Sequence, residues 1–125
     1  MTILNNPIYV KIYKNKMTVR HINSGNEVTE ISNPAFTSQR LLVGDFAVAE
    51  HFLKRLVKKA APTGWFTPSP KILIHPIEMI EGGLSQVEER ALLELAAQVG
   101  ARKAEIYLGC SISDELVIEK LNMLK

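Results

Sequence analysis

Residues 81–107, EGGLSQVEERALLELAAQVGARKAEIY, contain the strongest local signals in the chain and decide its class of fold. Two glycines predict a turn. Ser85 and Glu88 then have the spacing of a capping box, in which each side chain accepts from the other residue's backbone amide. The following apolar residues recur with a helical period until Gly100, which should stop the helix, and AEIYL at 104–108 has the length of a strand. A helix followed directly by a strand predicts an α/β protein.

The residues upstream of this stretch predict a β-meander. Apolar and polar residues alternate over 8–13, and two further strands are expected over 17–21 and 27–31, with turns at 14–16 and 23–26. Asn and Gly residues in the second turn tolerate positive φ, so the strands are expected to be antiparallel.

Two more helices and one more strand complete the predicted order βββαβαβα. A helix is expected after Asp45, a candidate N-cap, and before Pro62. KILIHPI, 71–77, predicts a strand covered on both faces, and a last helix should start near Ser113. We therefore expect a mixed sheet with helices packed on it, in a single domain over 1–125.

The helical periods also predict which side chains face inward. The residues expected to be buried are Val87, Ala91, Leu92, Leu95, Ala96 and Val99 in the helix after Ser85, and Leu116, Val117, Leu121 and Leu124 in the last helix.

Composition excludes several classes of function. The chain has 125 residues and a formal net charge of +2, too small to indicate nucleic-acid binding. It has one cysteine, no signal-peptide pattern and no run of the ~20 apolar residues that a membrane span needs. We expect a reduced, cytoplasmic protein without membrane insertion. The three histidines are scattered and no metal site is expected.

Three segments in order resemble the MreB family of bacterial actins, the rod shape-determining proteins. They are GDFAVAEHFLKRLV at 44–57, PSPKILIHPI at 68–77 and SQVEERALLELAAQVGARKAEIYL at 85–108. The resemblance covers about residues 43–108 and implies one lobe of the ribonuclease H-like fold of actin-like ATPases. It also implies an MreB-type filament as a candidate partner.

The residues that the resemblance would assign to ATP differ here. The family's phosphate hairpin has the pattern Asp-x-Gly-Thr, whereas this chain has KIYKNKM at 11–17. The family's Glu-Glu-Pro after the last strand is replaced by Gly109, Cys110 and Ser111, and the second lobe has no counterpart in these 125 residues. We expect no enzyme activity, no catalytic residue and no cofactor.

Two sites are left as candidates. Gly82, Gly83 and Ser85 could bind a small anion or nucleotide at a helix N-terminus, although the same residues could only form a turn that starts the helix. Trp65 and Phe66 lie among turn residues and could anchor a protein partner or close one end of the core.

Two functional hypotheses follow. The first is a non-catalytic actin-like domain that acts through protein contacts in cell-shape or cytoskeletal assembly and self-associates, for example as a homodimer. The alternative is a small-ligand or nucleotide-sensing domain that uses the Gly82–Gly83 turn and the following helix.

Overall fold

The computed structural model describes residues 6–61 and 69–124. The elements in chain order are β1 Pro7–Tyr13, β2 Lys16–His21, β3 Asn26–Ile31, α1 Phe46–Ala60, β4 Lys71–Pro76, α2 Gln86–Gln98, β5 Lys103–Ile106 and α3 Asp114–Asn122. No helix in these two ranges is both long and apolar enough to cross a membrane.

The strands form one mixed sheet in the order β3-β2-β1-β4-β5. β1 and β2 are antiparallel and so are β2 and β3, whereas β4 runs parallel to both β1 and β5. The first parallel connection contains α1 and the second contains α2, as parallel pairing requires a long crossover. The predicted α/β class with a mixed sheet and packed helices is confirmed.

One face of the sheet, called the near face, packs against α1 and α2. Its core is apolar throughout, because alternate strand residues and one stripe of each helix meet there. The buried residues are Ile8, Val10, Ile12, Met17, Val19, Ile72 and Ile74 from the strands, Ala49, Phe52, Leu53, Leu56, Val57, Ala60, Leu92, Leu95, Ala96 and Val99 from the helices and their ends, and Phe36 and Leu42 from the preceding loop.

The opposite face, called the far face, packs against α3 alone among the described helices. Val117 and Leu121 of this short helix contact a smaller core that includes Tyr9 and Leu73. Polar contacts hold both helix ends: the Asp114 carboxylate accepts two hydrogen bonds from the Arg20 guanidinium, each 2.8 Å long, and Lys71 Nζ donates to the Leu121 carbonyl.

The predicted helix starts are confirmed. Asp45, Ser85 and Ser113 are the N-caps of α1, α2 and α3, and the capping box of Ser85 with Glu88 is present. Gly100 follows α2 with φ +102°, a conformation that glycine adopts without the cost other residues have.

Two residues predicted to be buried are exposed. Val87 is 75% exposed, because α2 buries Leu92, Leu95 and Ala96, and Val87 is rotated by about 140° from Leu92 around the helix axis. Leu116 is 44% exposed, because α3 buries Val117 and Leu121, and Leu116 is rotated by about 100° from Val117 around the helix axis.

Candidate functional site

The carboxyl ends of the parallel strands β1, β4 and β5 lie at one edge of the sheet, the usual position for a ligand in an open α/β sheet. Three segments directly follow the ends of these strands: the β1–β2 turn, residues 77–78 after β4, and residues 107–112 after β5. Any actin-type nucleotide site in this chain would be built there.

The β1–β2 turn is bound by the chain's own side chains. The Lys14 amide donates to Glu78 Oε1 over 2.7 Å, and the Asn15 amide donates to Thr37 Oγ1 over 2.9 Å. Asn15 Oδ1 in turn accepts from the Thr37 amide over 2.8 Å. A carboxylate and a hydroxyl therefore accept from the two backbone amides of the turn.

His75 lies beside this edge and is fully buried. Its Nε2 donates to the Gly109 carbonyl over 2.8 Å, since a carbonyl can only accept, so Nδ1 is the acceptor for the Tyr9 hydroxyl at 2.7 Å. Burial lowers the pKa of His75, and Lys11 lowers it further, against the opposing effect of the Gly109 hydrogen bond. Both ring nitrogens are thus used inside the protein.

Tyr9 and Tyr107 complete a cluster around His75 that holds the segment after β5. Burial raises the pKa of the Tyr9 hydroxyl, which also interacts with Ser111 and Ile112. The Tyr107 ring meets the His75 ring edge-on, and its hydroxyl donates to the Cys110 carbonyl over 2.8 Å. These contacts join the loop after β5 to β1 and β4.

Gly109 shows how closely this loop is packed. Its φ is +151°, and a Cβ there would lie 2.7 Å from the Tyr107 hydroxyl oxygen, so a larger residue requires the ring to move. The residues at the position of the family's acidic stretch therefore have a packing role in this chain.

The Gly82–Gly83 turn is present, with φ of +79° and +87°. The Gly83 amide donates to the Ile80 carbonyl over 2.9 Å. The Ser85 amide and hydroxyl are both engaged with Glu88, and Glu88 and Glu89 place carboxylates in the first turn of α2. An anion there would have to displace these contacts, and ligand binding at Gly82, Gly83 and Ser85 stays a prediction.

The remaining predicted site cannot be placed, because Trp65 and Phe66 lie outside the described residues. Across 6–61 and 69–124, no group of three or more His, Cys, Asp or Glu side chains is positioned to hold a metal ion.

An apolar groove that the sequence did not indicate lies between the loop before α1 and the start of α2. It is lined mainly by Leu41, Leu42, Leu84, Val87, Ala91 and Leu92. Its volume of about 40 Å³ suits one apolar side chain and is far below the several hundred Å³ of a small-molecule site. The only signal in the sequence was the apolar run Leu41 to Val43 within a loop.

Comparison with known proteins gives an extensive match. The protein named "Uncharacterized protein YjaA" from Escherichia coli strain K12 is 44% identical over 95 residues, which cover 72% of this chain and 73% of that protein. The chain belongs to the YjaA family. No protein-family model matches the chain.

Members of the MreB family match over a shorter region. The cell shape-determining protein MreB is 36% identical over 67 residues in both Pasteurella multocida and Haemophilus influenzae, and 34% identical in Escherichia coli K12. These residues are 54% of this chain but only 17–18% of MreB. The chain is therefore related to YjaA over most of its length and resembles MreB only in part and distantly.

Proposed function

We propose that this chain is a non-catalytic, MreB-like domain that acts in the cytoplasm through protein contacts in cell-shape or cytoskeletal assembly. The partial similarity to the cell shape-determining protein MreB supplies the cellular context. The name of YjaA adds no function, so the proposal rests on the MreB similarity and on the contacts at the sheet edge.

The architecture supports the ribonuclease H-like assignment within this proposal. An antiparallel meander is followed by two parallel strands with intervening helices, which is the element order expected of one actin-like lobe. Fold alone does not determine function, so this support concerns ancestry and not activity.

The hydrogen bonds that the β1–β2 turn makes within the chain are the observation that supports a non-catalytic role. The amides of Lys14 and Asn15 are bonded to Glu78 and Thr37, so the turn has no donors left for a phosphate unless these contacts break. A carboxylate at 2.7 Å from the Lys14 amide would also repel a phosphate. These contacts favour a domain that acts through its surface.

Co-sedimentation with polymerised MreB-type actin purified from the same host tests this proposal. We expect the chain to pellet with filaments in a saturable manner and to stay in the supernatant without them. A filament of unrelated composition, such as eukaryotic actin, is the matched control. Absence of the chain from the MreB pellet at all concentrations would contradict the proposal.

The alternative is a small-ligand or nucleotide sensor at the Gly82–Gly83 turn. The positive φ of both glycines and the adjoining helix N-terminus favour it. A thermal-shift series with ATP and inorganic phosphate separates the two functions: stabilisation that is lost in Gly83→Ala would favour the sensor.

A further inference from the structure

Strand β5 forms one edge of the sheet and, among the described strands, pairs only with β4. The Arg102 amide, just before β5, donates to the carbonyl of Pro70, just before β4, over 2.7 Å. Successive residues of a strand direct their backbone groups to opposite sides, so the amides and carbonyls of Lys103 and Glu105 are directed away from β4. Each of these two residues therefore offers a donor and an acceptor to a further strand.

The side chains of Lys103 and Glu105 add opposite charges to this edge. The register with β4 places both on the far face, where Lys103 is exposed and Glu105 is half-buried. Neither takes part in an ion pair with another residue of the described ranges. On the near face the same strand presents Ala104 and Ile106, which are half-buried and pack against the apolar core.

A second copy of the strand matches this edge in one register. In an antiparallel pair with a two-fold axis at Ala104, Lys103 of each copy lies opposite the partner's Glu105. Both residues of such a pair have outward backbone groups, so they exchange hydrogen bonds while their side chains bring opposite charges together on one face. An axis at Lys103 or at Glu105 would instead place like charges opposite each other.

The other edge of the sheet, strand β3, lacks this complementarity. Its charged residues are Glu27 and Glu30, and both already lie beside cations of the same chain. Glu27 is 3.7 Å from Arg20, and Glu30 accepts from Arg55 and Lys59. Two copies of β3 would therefore bring only further carboxylates to one another, and the charges favour β5 as the edge for self-pairing.

We propose that a second copy of this chain adds its β5 to this strand, antiparallel and with the two-fold axis at Ala104. The sheets of the two copies then form one continuous sheet, and Lys103 of each copy pairs with the partner's Glu105. The added strand also covers the half-buried Ile106. This dimer specifies one contact of the protein-contact domain proposed above and rests on that function.

Sedimentation equilibrium of the full chain tests the dimer through its charges. We expect the wild-type chain to dimerise, and Lys103→Glu or Glu105→Lys to raise the dimer dissociation constant by about tenfold or more, because each places like charges opposite one another. The chain with both changes should regain the dimer, since each pair is then reversed. Glu27→Lys is the matched control: it makes the same charge change on the far face at the opposite edge, and its dimer should be unchanged.

A cross-link tests the register independently of charge. In a Cys110→Ser background, which removes the native cysteine, Ala104→Cys should form an intermolecular disulfide with diamide as oxidant. Residues opposite each other without mutual hydrogen bonds have Cα atoms about 4.5 Å apart, within reach of a disulfide. Ile106→Cys is the matched control, since it is half-buried on the same face but lies opposite the partner's Arg102 and should not cross-link.

Four results would overturn the inference: a wild-type chain that stays monomeric at the highest soluble concentration, a dimer that Lys103→Glu leaves intact, a double variant no stronger than the singles, or a dimer that Ala104→Cys does not link. Circular dichroism should show the same secondary structure in all charge variants. The filament assay is scored separately. A monomeric chain that pellets with MreB-type actin refutes only the dimer, and a dimer that fails to pellet refutes only the filament contact.

Discussion

The two faces of the sheet are stabilised in different ways. The near face buries two helices against a continuous apolar core, whereas the far face holds one short helix by two buried apolar residues and by polar contacts at both helix ends. The far face also contains His75 between Tyr9 and Tyr107. The near face therefore supplies most of the stability, and the far face fixes the loop at the carboxyl edge of the sheet.

This difference bears on the carboxyl edge of the sheet, because the far-face contacts hold the loop that follows β5 there. The hydrogen bonds of His75 join β4 to Tyr9 on β1 and to Gly109 in the loop after β5. If the polar contacts of the far face position that loop and the near face only supports the sheet, substitutions on the two faces should differ in their effects. They should change the free energy of unfolding by different amounts and with different pH dependence.

The largest effect is expected in the near face. Leu53→Ala should lower the free energy of unfolding by about 2–5 kcal/mol, because it removes fully buried methyl groups and leaves a cavity. Urea denaturation measures the change. Leu93→Ala, at a position that is 40% exposed on α2, is the control, and a similar loss there would contradict the assignment of the core.

The next largest effect is expected at the Tyr9 hydroxyl. Tyr9→Phe keeps the ring but leaves the buried Nδ1 of His75 without its donor, which should cost about 1–3 kcal/mol. Tyr13→Phe, on the same strand face but partly exposed, should cost less than about 0.5 kcal/mol. Equal losses in both variants would show that the hydrogen bond to His75 does not stabilise the far face.

The buried histidines should make the chain sensitive to acid. Burial lowers the pKa of His21 and His75 below their ordinary value of 6.5, so between the folded and unfolded pKa values the unfolded chain binds more protons. The free energy of unfolding should therefore fall as pH drops below about 6.5, by at most about 1.4 kcal/mol per pH unit for each histidine.

Thermal unfolding between pH 7.5 and 5 measures this dependence. His75→Gln should flatten the profile, and His51→Gln controls for the loss of a histidine at an exposed position. A profile that is flat in the wild-type chain would contradict the buried, neutral state of both rings. Asp114, whose pKa is lowered mainly by Arg20, should contribute only at lower pH, where its carboxylate is protonated.

The smallest effect is expected for the pair of Arg20 and Asp114. Its geometry is bidentate, but both side chains are about a third exposed, so solvent screens the attraction. A double-mutant cycle with Arg20→Ala and Asp114→Ala should give a coupling energy of about 0.2–1 kcal/mol that decreases with salt. No coupling would show that this pair does not hold α3.

The sequence predicted the near face well because its signals are local. Alternation in β1, the Ser85 and Glu88 capping box and the Gly100 stop each depend on residues within one turn or strand. The far-face cluster was not predicted, since Tyr9 and His75 are 66 residues apart and no local pattern joins them. His75, one of three scattered histidines in the sequence, is fully buried.

The contacts at the carboxyl edge of the sheet were not predicted, for the same reason. The sequence shows directly that residues 11–17 lack the Asp-x-Gly-Thr pattern of the MreB family. The hydrogen bonds from the amides of this turn to Glu78 and Thr37 depend on tertiary structure and could not be predicted. Val87 was placed in the core because it lies close to the helical period, although α2 buries only Leu92, Leu95 and Ala96.

Calorimetric titration of the full chain with ATP and Mg²⁺ tests the central claim most directly, namely that internal contacts have replaced a nucleotide site and the domain acts through its surface. The account predicts no saturable heat of binding, because the Lys14 and Asn15 amides are already bonded within the chain. Saturable binding of one ATP per chain, weakened by substitution of the β1–β2 turn, would contradict it.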